Sequence, residues 1–154
     1  MPLRTLALAL LLLAAQAAAL RAQAAPPGFR EEFLLHFNSS SHKLLELARA
    51  MPEDRYAWSP GEGVMPVGRV YAHVARYNYH YPQEAMGIPA PAGTDLDRME
   101  EVAAKAEVVE LLRRSQEHVR ASVRGLTDDQ LARPTRLYGR DVPQWPCSSS
   151  SWPT

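Results

Sequence analysis

Five histidines, His36, His42, His73, His80 and His118, are the side chains best suited to bind a metal or move a proton near neutral pH. His73 stands apart, in the middle of a helical stretch "GRVYAHVARYN" and on its apolar side. A neutral imidazole there is a good ligand for Zn, Ni or Fe. From the residue alone the better reading is a core-edge histidine hydrogen-bonded to a neighbour, since one histidine on an apolar face specifies little. His80 lies two helical turns further on, roughly 10 Å along the axis, too far to share one metal with His73. Tyr77 between them reads as a core aromatic, and Asn78 beside it as packing. His36 and His42 point different ways, and His118, in "RRSQEHVRASV", belongs on a solvated border. The chain has no His-x-x-x-His pair, no glycine-rich phosphate loop and no nucleophile elbow. The charged run "LDRMEEVAAKAE" is expected to be a solvated helix face. The single Cys147 gives neither a disulfide framework nor a cysteine metal knot.

The elements that must position His73 are helical. "FREEFLLHFNSSSHKLLELARAMPED" carries Phe33, Leu34, Phe37, Leu44, Leu45, Leu47 and Ala48 at three- and four-residue steps, and Pro52 ends it. Asn38 to Ser41 is its weak centre, because Ser and Asn compete for their own backbone. Tyr56 and Trp58, in the following loop, are expected to plug the bundle end. A second helix starts near Pro66 and ends before Pro82, with Val70, His73, Val74 and Tyr77 on one face. The third helical region is the longest, broken near Ala103. Val108, Leu111, Leu112, Ser115, Val119 and Val123 line its inner side, and Gly125 stops it. Thr127 to Gln130 reads as a capped short turn, and "RPTRLYGRDVPQW" as an extended connection, with no convincing strand. Three one-faced helices need a fourth to close an up-and-down bundle, and the connection at Leu137 to Trp145 leads toward it.

The two ends read differently from the middle. Residues 1–24 have a positive Arg4, an apolar run from Leu6 to Leu20 and the small-x-small Ala22-Gln23-Ala24. Together these predict a signal peptide and an exported product, periplasmic or secreted, with no membrane association after cleavage. The competing reading, an uncleaved anchor, suffers from a run short for a bilayer of roughly 30 Å. Residues 25–145 form one helical domain. With 17 basic and 17 acidic residues the net charge is zero, so no nucleic-acid partner is expected.

The ending "PCSSSSWPT", residues 146–154, is unlike the rest. If one base was lost before the Pro146 codon, position 147 originally encoded Leu, Met or Val. Position 152 did the same, and position 153 encoded Ala. With GC-rich codons the displaced frame reads Ala-Val-Leu-Leu-Gln-Leu-Val-Ala-His, the start of an apolar helix ending in histidine. The tail is therefore read as out of frame, the alternative being a natural serine-rich flexible tail.

The stretch "LLELARAMPEDRYAWSPGEGVMPVGRVYAHVARYN", followed by "KAEVVELLRRSQEHVRASVRGLTDDQLARPTRLYGRDV", resembles the DinB-like (DinB/YfiT) superfamily, in its exported branch. The likeness covers about Phe29 to Trp145. It implies an all-α, up-and-down four-helix bundle, here with three long helices and the fourth missing. It also implies a divalent metal (Zn, Ni or Fe) held by three histidines, one from the second helix and two from the fourth. His73 matches the first. The implied function is a metal-dependent enzyme of the thiol-transferase or hydrolase type, inactive in this chain because the fourth helix and two ligands are lacking, with the metal not retained. The alternatives are a non-enzymatic exported helical binding protein and a functionless pseudogene product. An exposed apolar face would also allow a homodimer.

Overall fold

The computed structural model describes residues 28–131, 133–137 and 139–143. The sequence readings for residues 1–24 and 146–154 fall outside them. Arg30–Gly125 is one unit, and the residues from Leu126 onward belong to another.

In the first unit three long helices follow one another: α1 (Phe29–Ala50), α2 (Val67–Met86) and α3 (Lys105–Gly125). Short 3-10 turns at Glu53–Arg55 and Met99–Glu101 lie in the two connections. A fourth long helix is not among the described residues. The core joins Leu45 and Ala48 of α1, Tyr71, Ala75 and Tyr79 of α2, and Val108 and Leu112 of α3, with Tyr56 and Met99 from the connections. Ala48, Ala72 and Ala75 are fully buried, since a small side chain lets a neighbouring helix approach closely.

Polar residues also tie α1 to α3. Arg120 donates from Nε to Asn38 Oδ1 and from Nη2 to Ser41 Oγ, both at 2.7 Å, and Gln116 Nε2 donates to the Ser41 carbonyl at 3.1 Å. The expected weak centre of α1 is therefore where its polar side chains are satisfied from outside.

Several expectations need correcting. α2 does not end before Pro82 but runs one turn past it. Pro82 removes one ladder hydrogen bond, yet it is buried, and the turn beyond it is closed by Gly87. Gly87 takes φ 68°, its N–H donates to the Gln83 carbonyl, and the Ile88 N–H reaches back to the Pro82 carbonyl. Of the two plugs, Tyr56 is buried while Trp58 is 52% exposed. Leu47, read as part of the apolar stripe of α1, is 55% exposed. The third region is not the longest: α3 has 21 residues and α1 has 22. The run from Leu96 to Ala104 is not a solvated helix face. It is a connection with one 3-10 turn, in which Met99 is buried.

In the second unit, α4 (Asp128–Leu131) opens with a reciprocal capping box. Thr127 Oγ1 accepts from the Gln130 N–H at 3.2 Å, and Gln130 Oε1 accepts from the Thr127 N–H at 2.8 Å. The stretch read as an extended connection contains an antiparallel hairpin, β1 (Pro134–Leu137) with β2 (Arg140–Pro143), so the expectation of no strand was wrong there. Pro134 pairs with Pro143 at the open end, where a missing N–H disturbs the ladder least.

Candidate functional site

His73 sits on α2 at the seam between that helix and the α2–α3 connection. The buried side of α2 is set by Gly68, Tyr71, Ala72, Ala75, Tyr79, Pro82 and Ala85 at three- and four-residue spacing. One flank over, Arg69, His73 and Arg76 meet the connection. Arg76 Nε donates to the Leu96 carbonyl at 3.0 Å, and Arg69 Nε donates to Glu100 Oε2 at 3.2 Å. His73 Nδ1 lies 2.7 Å from Glu100 Oε1. Buried Met99, next in sequence to Glu100, anchors this turn in the core.

The electrostatics favour a charged carboxylate. Burial pushes the Glu100 carboxyl up, but hydrogen bonds from His73 and Arg69 together outweigh it and leave the group below the ordinary carboxylate range. An ionised carboxylate only accepts hydrogen bonds, so the proton between the pair sits on His73 Nδ1. In neutral His73 the remaining lone pair is then on Nε2. That nitrogen can take a metal or accept a proton.

The aromatic neighbours continue along the helix. Tyr77 packs 4.7 Å from the His73 ring, 5.4 Å from His80 and 5.1 Å from Tyr81, with the Arg76 guanidinium 5.3 Å from the Tyr77 ring centre. His80 pairs with Glu84 at 2.6 Å and does not join His73. Asn78 turns the other way and donates to Ser115 Oγ on α3 at 3.0 Å, a helix-packing bond. His36 and His42 are exposed on α1. His118 is half-buried rather than on a solvated border: it packs 5.0 Å from Tyr79, its buried Nε2 has no hydrogen-bond partner among the described residues, and burial lowers its pKa. A cleft of about 1050 Å³ opens beside His118, lined by Tyr79, Met99, Leu111 and Arg114 among others, and His73 does not line it.

The family model of the DinB superfamily matches residues 36–145. The chain belongs to the DinB superfamily. No curated protein and no solved structure matches it. The match covers all of α2 with His73, the connection with Glu100 and all of α3. DinB superfamily proteins often bind a divalent metal. Among the described residues no group of three or more His, Cys, Asp or Glu is placed to hold one. His73 fits one coordination position, and the described residues do not complete the sphere.

The residue missed from the sequence is Glu100. It lies 27 positions from His73, in a run whose charges suggested a solvated face. The one signal was Met99, a lone large apolar side chain between charged neighbours. That pattern marks a segment folded back onto a core rather than one standing in water.

Proposed function

We propose that this DinB superfamily domain belongs to a metal-dependent activity of the thiol-transferase or hydrolase type, with His73 Nε2 as one metal ligand. The observation that carries this reading is the His73 Nδ1–Glu100 contact of 2.7 Å, since ligating histidines commonly donate their other ring N–H to a carboxylate. A bound divalent metal would supply Lewis acidity, lowering the pKa of a thiol or water. This chain's own residues orient one imidazole: Glu100 accepts from Nδ1, Arg69 steadies Glu100, and Tyr77 packs against the ring. With one ligand among the described residues, this domain is proposed to hold metal weakly and to lack metal-dependent turnover. Titration calorimetry with Zn²⁺ and Ni²⁺ tests both halves. Weak binding that disappears in His73→Ala supports the reading. Binding unchanged in His73→Ala would remove His73 as a ligand, and tight stoichiometric binding would overturn the inactivity.

A second reading is a non-enzymatic binding protein. It is favoured by Val70, 45% exposed, with half-buried Val74, Tyr77 and Tyr81 following it along α2. A homodimer by light scattering that is lost in Val70→Glu supports it, and a monomer at all concentrations removes it. Export is proposed with either reading, and the mature N-terminus of cell-expressed protein, expected just after Ala24, checks it. No helix among the described residues is long and apolar enough to cross a membrane.

A further inference from the structure

We infer that Glu100 is a positioning residue that locks neutral His73 in the Nδ1–H tautomer and so makes Nε2 the lone-pair nitrogen. The use of that lone pair by a divalent cation rests on the proposed function, whereas the tautomer itself does not. A neutral histidine free in water prefers its proton on Nε2, which would leave the lone pair facing Glu100. Two features reverse that preference here. The Glu100 side chain is only 16% exposed, so water competes poorly for the Nδ1–H bond. Its second oxygen is held by Arg69 Nε at 3.2 Å, so the carboxylate cannot swing away without breaking that pair. The backbone under it is fixed as well, by buried Met99 and by Arg76 Nε on the Leu96 carbonyl. The structure gives His73 Nε2 no hydrogen-bond partner among the described residues, leaving Nδ1 as the nitrogen the protein engages.

The test is a two-bond proton–nitrogen correlation spectrum of the ¹⁵N-labelled full chain, taken at least about one unit above the ordinary histidine pKa. His73→Gln identifies the His73 signals. The expected result is a pyridine-type Nε2 and a pyrrole-type Nδ1 in the wild type. Glu100→Ala and Glu100→Leu lose that pattern and move toward the Nε2–H form. Glu100→Gln retains it, because its amide oxygen still accepts from Nδ1–H. A wild-type spectrum with the proton on Nε2 overturns the inference without any variant. So does an unchanged pattern in either apolar variant with native helical circular dichroism. Adding Zn²⁺ separates the two claims: a shift at Nε2, with affinity about 10–100-fold weaker in Glu100→Ala, supports both. The locked tautomer with no response to Zn²⁺ retires the metal reading and leaves the positioning role supported.

Discussion

Gly68 lies so close to Tyr56 that a methyl group on it would stand 3.0 Å from Tyr56 Cδ1 and 3.3 Å from the Tyr56 carbonyl oxygen. The Gly68 N–H donates to that same carbonyl at 2.9 Å. The Tyr56 ring has no room to retreat, because it is buried and its hydroxyl donates to the Ala48 carbonyl at 2.7 Å. Gly68→Ala therefore meets a fixed wall. The gain in helix propensity, up to about 1 kcal/mol, is outweighed by an overpacking cost of about 1–3 kcal/mol. A urea midpoint below that of the wild type is expected, and an increase would show that the first turn of α2 shifts freely.

Lys105, the first residue of α3, closes the far end of α1. Its Nζ donates to the carbonyls of Arg49 at 2.8 Å and Met51 at 2.7 Å, where a helix C-terminus leaves carbonyls without intrahelical donors. Lys105→Met keeps the stem and removes the donor. The expected loss is about 1–2 kcal/mol in chemical denaturation, since charge-assisted bonds to carbonyls are stronger than neutral ones. A variant as stable as the wild type would mean that water satisfies those carbonyls equally well.

Arg120 and Asn38 form a pair whose worth a double-mutant cycle reads directly. Arg120→Ala and Asn38→Ala remove the two ends of a 2.7 Å bond across α1 and α3. A coupling of about 1 kcal/mol is expected between them, and simple additivity within about 0.3–0.5 kcal/mol would show the pair to be a contact without energetic consequence.

His118 gives a dependence on pH with a defined sign. Burial lowers its pKa in the folded protein from 6.5, so the unfolded chain binds the proton more readily. Stability is unaffected well above pH 6.5 and falls as pH drops through that value toward the lower folded pKa. His118→Phe, which can still pack on Tyr79, is expected to lose this part of the acid sensitivity. Urea midpoints measured on either side of pH 6.5 decide it: wild type and variant falling equally would assign the loss to other groups.

Much of the local structure was legible from the sequence because its causes are local. The inner stripe of α3, the core positions Leu45 and Ala48 of α1, the Gly125 stop and the Thr127–Gln130 box each depend on residues within one or two turns. The face of α2 read as apolar, Val70, His73, Val74 and Tyr77, instead lies beside the side that the structure buries. Tyr56 and Trp58 show where that logic ends. They are two positions apart in one loop, equally aromatic, yet one is buried and the other half in water. Composition says that a loop holds a plug, and only the path of the chain says which ring it is. Pro82 is similar: a proline predicts a break, but a buried ring and the Gly87 cap let the helix continue.

By itself the sequence determined an all-α domain of three one-faced helices and singled out His73, because helical periodicity and residue chemistry are written at short range. The tertiary structure decided what His73 touches. Its partner Glu100 arrives from a connection whose course is set by Met99 entering the core and Arg76 holding Leu96. A contact spanning 27 positions leaves no mark in the local pattern of either segment. It exists only once packing has fixed where the connection runs.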